Sequence, residues 1–169
     1  MTTDPVVPAP AQVPATIGGS PAVIRGVGKC IVLTLVSFGL WAFAWVYHTA
    51  DEVSPAAGEE ASPPLRMVGF LVPLANIFVL FLSWRDIDNF LKKHGAKDFH
   101  VILFLLLTIF IPFAGIFTYI IVQGRLNKGW EVATGGGATD APMQPIDWVF
   151  VLAGWAVLAI AIIVGIAGS

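Results

Sequence analysis

The sequence predicts an all-α integral membrane protein with about four transmembrane helices, some of them kinked, plus a short interfacial helix. Of the 169 residues, 57% are hydrophobic and only 12% are charged, which is about half of the charged fraction of a soluble domain. The mean hydropathy is +0.83. The apolar residues form four uncharged blocks, and short segments between the blocks hold nearly all the charges.

Each apolar block approaches the length that a membrane-crossing helix needs, about 20 residues for about 30 Å of hydrocarbon. The blocks predict helices over residues 30–48, 67–84, 100–122 and 148–169, and none has an Asp, Glu, Lys or Arg in its interior. The first two are near the short limit. We therefore expect a three-span membrane domain over residues 25–132, a Gly-rich loop over residues 133–147, and a fourth helix appended after it.

The segment before the first block predicts a disordered cytoplasmic tail. Residues 1–24 contain no Lys or Arg and are rich in Pro and Ala. A secretory signal peptide needs a basic region followed by an apolar core, so this segment does not fit one. Its composition is typical of mobile, weakly extended chain.

The distribution of cations predicts the orientation, because cytoplasmic loops carry an excess of Lys and Arg. With four spans and a cytoplasmic amino end, six of the nine cations fall inside and three fall outside. This bias predicts a multi-pass protein of the cell membrane with both termini in the cytoplasm. The inner cations are Arg25, Lys29, Arg85, Lys92, Lys93 and Lys97, and the outer ones are Arg66, Arg125 and Lys128.

The segment 85–95 predicts a short interfacial helix that continues the second span. Its apolar residues recur at helical spacing, and Asp88 stands four residues before Lys92, a favourable helical pair. One interpretation is that its cations face anionic lipid headgroups. The other, which we favour from the sequence, is a solvated face that only sets topology. The candidate lipid-facing cations are Arg85, Lys92, Lys93 and Lys97.

Two blocks are interrupted, by Pro73 and by Pro112. A proline removes one helical hydrogen bond, and in lipid the freed carbonyl needs another partner. Asn76, one turn after Pro73, is the most polar side chain inside the spans. We expect it to form an interhelical hydrogen bond, with a ligand or ion site as the alternative. A broken block could also dip into the bilayer and return as a re-entrant hairpin, but kinked spanning helices are favoured because four short helices provide little cover for exposed backbone.

Two stretches resemble the signatures of a family of small bacterial membrane proteins, domain of unknown function 4234. The first is the aromatic-rich run over residues 35–47, and the second lies in and after the third block; together the resemblance covers about residues 25–132. Trp41 and Ala44 or Phe43 depart from the first signature. The resemblance implies a multi-pass bacterial membrane protein and implies no activity. The residues that carry it are Phe38, Gly39, Trp45, Tyr47, Pro112, Tyr119, Gln123, Leu126, Asn127 and Trp130.

Several of these positions predict structural roles. Gly39 would let the first helix bend or let a neighbour approach. Trp45 and Tyr47 would anchor the outer end of that helix at the interface, and Trp130 would flank the third span. Gln123 and Asn127 are four residues apart and present two amides on one helix face. They would cap a loop, or contact a partner.

No pattern for catalysis, for a metal, for a cofactor or for nucleic-acid binding is found. The run Gly26-Val27-Gly28-Lys29 lacks the remaining residues of a phosphate-binding loop. The three histidines are spread without ligand spacing, and a net charge of −2 argues against a nucleic-acid binder.

The sequence therefore predicts a non-catalytic accessory or interaction protein of a bacterial cell membrane. Its expected partners are the lipid bilayer, a second copy, or another membrane protein; the small-residue face Ala161–Gly165–Ser169 would permit close helix packing. The alternative is an oligomeric channel or small-solute permease, suggested by the interrupted helices, by Asn76 and by a weak repeat between the first and third blocks.

Overall fold

The computed structural model describes residues 15–111 and 113–167, and the fold is mostly helical. Short strands occupy the amino-terminal part and the segment before the last helix. Two long helices, α5 and α7, run through the centre, and α8 lies beside the first two helices. In chain order the elements are β1 Thr16–Ile17, β2 Ser20–Pro21, β3 Val23–Ile24, α1 Val27–Val36, α2 Trp41–His48, a π-helical segment Thr49–Val53, α3 Ser54–Ala57, α4 Pro63–Leu71, α5 Ala75–Lys93, α6 Val101–Phe110, α7 Ala114–Thr134, β4 Thr139–Asp140 and α8 Pro145–Ala167.

The first three apolar blocks are each divided into two helices, which corrects the prediction of one continuous helix per block. The first block breaks between α1 and α2, where Phe38 and Gly39 both have positive φ angles (53° and 88°). The second breaks where Val72 is extended before Pro73 and Leu74 has φ 68°, as expected because a residue before proline avoids the α region. The third breaks where Ile111 is extended and Phe113 has φ 63°; Pro112 itself lies outside the described residues.

The two helices of each block fold back on each other. An uninterrupted helix over residues 67–84 would keep its ends about 27 Å apart, yet Arg66 and Asp86 form an ion pair of 2.6 Å. The ends of the first block meet in the ion pair between Arg25 and Glu52. The ends of the third meet where Arg125 donates a hydrogen bond to the Asp98 carbonyl. Three helical hairpins result: hairpin 1 from α1 and α2, hairpin 2 from α4 and α5, and hairpin 3 from α6 and α7.

Most of the predicted interfacial helix 85–95 lies in the second half of α5, which runs without a break from Ala75 to Lys93. Its position differs from the prediction, because Ile87, Phe90 and Leu91 are fully buried in the protein core rather than laid on a surface. Phe90 packs on Trp130 of α7, with ring centroids 4.4 Å apart. Gly129 lets the helices approach here, since a Cβ at that position would lie 2.5 Å from Leu91 Cδ2.

The described part of the predicted tail is ordered, which corrects the prediction of disorder for residues 15–24. Strands β1 and β2 form an antiparallel pair joined by Gly18 and Gly19, both with positive φ. Strand β3 pairs in parallel with β4, which lies in the predicted Gly-rich loop. The amide of Ala141 extends this pairing with a 2.8 Å hydrogen bond to the Ile24 carbonyl. Residues 1–14 lie outside the described residues.

Among the described residues, α8 is the one helix long and apolar enough to cross a membrane, by length and composition. It begins at Pro145, the favoured residue type for a first helical position, and matches the predicted fourth helix within a few residues at its start. The backbone of Ser37 packs against Gly154, where a Cβ would lie 2.4 Å from the Ser37 carbonyl oxygen. Beyond this contact α8 continues with most of its side chains exposed.

Candidate functional site

Buried charged side chains collect where the open ends of the three hairpins meet. We call this cluster the polar base. Each member is less than a tenth exposed, although the surrounding helices are mostly apolar. Buried charges of this kind are stable only when they are paired and hydrogen-bonded. The members of the polar base are Arg25, His48, Glu52, Ser54, Arg66, Asp86, Asp88, Gln123 and Asp147.

One part of the polar base connects hairpin 1 to the first turn of α8. His48 Nε2 lies 2.9 Å from Asp147 Oδ1, and the indole of Trp41 donates a 2.8 Å hydrogen bond to the same oxygen. His48 Nδ1 lies 3.8 Å from Glu52 Oε1 on the opposite side of the ring. A single imidazole therefore stands between two carboxylates, one of them on α8 and the other on the π-helical segment.

Arg25 neutralises Glu52 and joins the amino-terminal strands to the polar base. Its guanidinium donates to both carboxylate oxygens of Glu52, one of them at 2.6 Å. Burial disfavours the charged guanidinium, but the hydrogen bond and the charge of Glu52 outweigh that effect and raise the pKa of Arg25. A bidentate pair of this geometry is among the stronger charge-assisted contacts in proteins.

A second part of the polar base closes hairpin 2. Asp86 is fully buried and accepts hydrogen bonds from Arg66 at 2.6 Å and from Ser54 at 2.7 Å. The half-exposed Arg85 donates to the other oxygen of Asp86 at 3.0 Å and to Glu59 at 3.2 Å. These contacts hold both arms of hairpin 2 and the α3 region at one level.

The predicted amide pair consists of Gln123 in the polar base and the half-buried Asn127 beside it. Asn127 donates a 2.7 Å hydrogen bond to the Arg25 carbonyl and accepts one of 3.2 Å from the Arg25 amide. Gln123 accepts a 2.7 Å hydrogen bond from the indole of Trp45. The two amides also bond each other at 2.9 Å. Together they fix the backbone of Arg25, two residues before α1, against α7.

The remaining predicted positions lie apart from one another. Trp45 and Trp130 are buried, Tyr47 is half-buried beside the His48 ring, and Asn76 is half-buried in the first turn of α5. Of the four candidate lipid-facing cations, Arg85 is engaged by Asp86 and Glu59 as described. Lys92 pairs with Asp88 at 2.6 Å and Lys93 donates to the Ala56 carbonyl at 3.0 Å, whereas Lys97 is exposed on the loop before α6.

The hairpin tips form the opposite end of the protein, which is apolar apart from the half-buried Asn76. The residues at the three turns, Phe38, Leu74 and Phe113, have left-handed backbone and are 54%, 74% and 78% exposed. Gly39 follows Phe38 in the same conformation. The amide groups at the turns are bonded internally, for example Gly39 to Thr34 and Ile77 to Leu74. The tips therefore present hydrocarbon with few free backbone donors.

Sequence reasoning missed a repeat that marks two of these tips. Residues 70–78 read FLVPLANIF and residues 109–117 read IFIPFAGIF, with Pro, Ala, Ile and Phe at the same four positions. Leu74 and Phe113 follow the proline in the two copies, and both take the left-handed conformation. Aligning the second block with the third, rather than the first with the third, would have found them.

An apolar cavity of about 270 Å³ lies between the three hairpins. All six hairpin helices contribute to its wall, which shows that the hairpins stand side by side around a common axis. Its lining consists almost entirely of carbon atoms, including those of the Trp45 and Trp84 rings. Representative lining residues are Leu35 of α1, Ala42 of α2, Phe70 of α4, Leu80 of α5, Thr108 of α6 and Ile116 of α7.

Among the described residues, no group of three or more His, Cys, Asp or Glu side chains is placed to hold a metal ion. Most ionisable side chains of the polar base are paired with one another, although His48 Nδ1 and one terminal nitrogen of Arg66 are buried without a hydrogen-bond partner. The contacts described above join the three hairpins and α8. Fold and site together define a helical protein with a buried polar base, apolar tips and one helix that could cross a membrane.

The chain belongs to the family described as Domain of unknown function (DUF4234), whose sequence pattern matches residues 25–166. The resemblance seen in the sequence is confirmed, and its extent is corrected, because the match includes α8. No curated protein and no solved structure matches the chain.

Proposed function

We propose that this is a non-catalytic membrane protein that inserts three hairpins into one leaflet and passes a single helix, α8, through both. The first arms of the hairpins, α1, α4 and α6, have nine or ten residues, which gives about 15 Å, or half of the roughly 30 Å hydrocarbon core. The open end of each hairpin is held together by the polar base. Arms of this length with joined ends reach the bilayer midplane and return.

The observation that carries the proposal is the chemistry of the three tips. Left-handed backbone costs an L-residue about 1–2 kcal/mol, and a turn in water would use Gly or Asn there. Phe38, Leu74 and Phe113 accept that cost while exposing most of their side chains. An apolar residue at such a position gains free energy only when hydrocarbon surrounds the turn. Backbone amides in hydrocarbon also need hydrogen-bond partners within the protein, and tip amides such as those of Gly39 and Ile77 have them.

The contact with α8 gives a second, somewhat smaller value for the depth of hairpin 1. From Asp147 in the polar base to Gly154 beside the tip of hairpin 1, α8 rises about 10 Å. Phe38 packs edge-on against Trp155, with ring centroids 5.5 Å apart. After that level the helix continues for about 20 Å more, and side chains such as Ile160 and Ile163 are 61% and 65% exposed. This second half of α8 fits the opposite leaflet.

The cations favour a cytoplasmic polar base. All nine Lys and Arg residues precede α8 in the sequence, and the hairpins return each connecting segment to the side of the polar base. All nine cations then lie on that side of the membrane, whereas the four-span topology places six on one side and three on the other. In this arrangement the two ends of the described chain lie on opposite faces, instead of both in the cytoplasm.

We propose for it the role of an accessory or interaction protein, which is also the role expected from the sequence. Its buried ionisable groups are used in mutual contacts, and its hairpin surface faces lipid. The alternative of an oligomeric channel or permease receives less support, because each copy would supply only α8 to the far leaflet. The cavity between the hairpins is also lined by carbon, whereas conducting paths are lined by polar groups.

Cysteine labelling tests the arrangement. In a Cys30→Ala background, single cysteines replace the exposed residues Glu60, Lys97 and Asp140, which lie in three successive connecting segments. The hairpin proposal predicts that an impermeant reagent labels all three from the same side of sealed vesicles. Four spans predict that Lys97→Cys labels from the opposite side to the other two, and that result would overturn the proposal.

A further inference from the structure

We infer that the protein bends the membrane in which it sits, towards a surface that is convex on the side of the polar base. The inference rests on the proposed insertion of the hairpins into one leaflet. Two observations carry it: the number of helices at each depth, and the polar base that holds the hairpins together as one body.

The number of helices differs sharply between the two leaflets. Seven helices cross the near leaflet, namely the six hairpin helices and the first half of α8, whereas the far leaflet contains only the second half of α8. A helix with side chains is about 10 Å across, so each excludes about 80 Å² of leaflet area. The six additional helices expand the near leaflet by about 480 Å² relative to the far one, before the cavity between them is counted.

The inserted body resists collapse, which a bending protein requires. Helix α2 of hairpin 1 packs on both arms of hairpin 2 and on α8, and Phe43 contacts Phe70 and Phe150 with ring centroids 5.2 Å and 5.6 Å apart. Hairpin 3 is fixed to hairpin 1 through Trp45 and Gln123. The hairpins therefore cannot separate to let lipid equalise the two leaflets without breaking buried contacts in the polar base.

The area difference converts to a curvature. With one copy in about 5,000 Å² of membrane, the near leaflet is about a tenth larger than the far one. The middles of the two leaflets are about 15 Å apart, half of the hydrocarbon thickness, so the membrane relaxes to a tube of radius about 150 Å. At a tenth of that density the preferred radius is about ten times larger, which is nearly flat on the scale of the protein.

The test measures sorting of the protein between a tube pulled from a giant vesicle and the flat vesicle surface. Vesicles of phosphatidylcholine and phosphatidylglycerol contain the Glu60→Cys variant in a Cys30→Ala background. Copies with the polar base outside are labelled first with an impermeant dye. Copies with the base inside are then labelled with a permeant dye of a second colour, so each orientation is the matched control for the other.

We expect base-outside copies to be enriched in the tube over the flat surface, and base-inside copies to be depleted, with both effects growing as the tube narrows. Equal distribution of the two colours would overturn the inference. Crowding among the parts of the protein that lie outside the bilayer is a second cause that would enrich base-outside copies in the tube. To separate these causes, the tube is repeated at low copy number, where crowding vanishes and a wedge still sorts. Loss of orientation-dependent sorting at low copy number would likewise overturn it.

Vesicles of the same composition that contain the Glu60→Cys, Lys97→Cys or Asp140→Cys variant distinguish this failure from failure of the proposed insertion. If cysteines at positions 60, 97 and 140 label from one side but the two orientations do not sort, the hairpins lie in one leaflet and the bending inference alone is wrong. If position 97 labels from the opposite side, the proposed insertion is wrong and the count of helices per leaflet no longer applies.

Discussion

The contact between Gly154 of α8 and the backbone of Ser37 provides the sharpest test of how the single long helix is held. Replacing Gly154 with alanine would place a Cβ 2.4 Å from the Ser37 carbonyl oxygen and 2.8 Å from its carbonyl carbon. These are backbone atoms of the turn in hairpin 1, so no side-chain rotation can relieve the overlap. Helix α8 must therefore move away from the hairpin.

The expected size of the effect follows from two opposing contributions. Overpacking of a closely packed contact costs about 1–3 kcal/mol, and a backbone obstacle places this site at the upper end. Replacing a helical glycine with alanine returns about 1 kcal/mol of helix propensity. We expect Gly154→Ala to lower the free energy of unfolding by about 2 kcal/mol, a net balance of these contributions.

A matched control is available on the same helix. No atom lies within 4 Å of a Cβ built at Gly165, so Gly165→Ala should leave the free energy of unfolding unchanged or raise it slightly. Both variants are unfolded by denaturant in the same detergent micelles. The fluorescence of Trp155, which packs edge-on against Phe38, reports whether α8 has moved. Equal stability of the two variants would refute the packing of α8 on hairpin 1.

Three further predictions concern the polar base, the tips and the response to pH. Asp86→Asn leaves the buried Arg66 without its counter-charge and should cost about 3–5 kcal/mol in denaturant unfolding. Asp140→Asn, at an exposed side chain of β4, should stay within about 0.5 kcal/mol of the unchanged protein. Similar losses in both variants would contradict the role of the buried pair. Leu74→Asn places a polar amide at the tip and should lower the unfolding temperature in vesicles. Leu74→Gly relieves the left-handed backbone strain at this position without adding a polar group, so it should lower the unfolding temperature less. The reverse order would place this tip in water. Burial, with a smaller contribution from a neighbouring cation, lowers the pKa of His94 below its ordinary value of 6.5. The folded state then binds a proton less readily than the unfolded chain, so stability should fall as the pH drops through about 6.5, and His94→Asn should flatten this part of a pH titration of stability.

Much of the helical content could be predicted from the sequence, because it depends on local features. Four long apolar blocks indicate helices wherever the chain lies in hydrocarbon. The breaks fall where the sequence places a Pro or a Gly, at Pro73 and near Gly39. The pairing of Asp88 with Lys92 also follows from helical spacing.

The direction of the chain after each break could not be predicted in the same way. A kinked spanning helix and a hairpin share the same pattern of an apolar block with a central interruption. The two are distinguished by contacts between residues far apart in sequence, such as Arg66 with Asp86 and Arg25 with Glu52. Charges that flank opposite ends of a block were interpreted as lying on opposite sides of the membrane, although here they are partners.

The candidate site, too, could be predicted from the sequence only in part. Gln123 and Asn127 were recognisable as a pair because they share a helix face, but their contacts with Trp45 and with the backbone of Arg25 cross from α7 to the start of the chain. The link from His48 to Asp147 joins residues about a hundred positions apart. No local pattern indicates such a contact, because each residue alone resembles an ordinary polar residue at the end of an apolar block.

The sequence by itself determined that this protein is helical, apolar and interrupted at set points, since composition and the proline and glycine positions act locally on the backbone. Only the tertiary structure decided that the first three blocks reverse direction and that α8 alone extends beyond their tips. The physical reason is that reversal depends on a balance between left-handed turns, which cost free energy at Phe38, Leu74 and Phe113, and the buried ion pairs that join the hairpin ends, which exist only once the helices have packed.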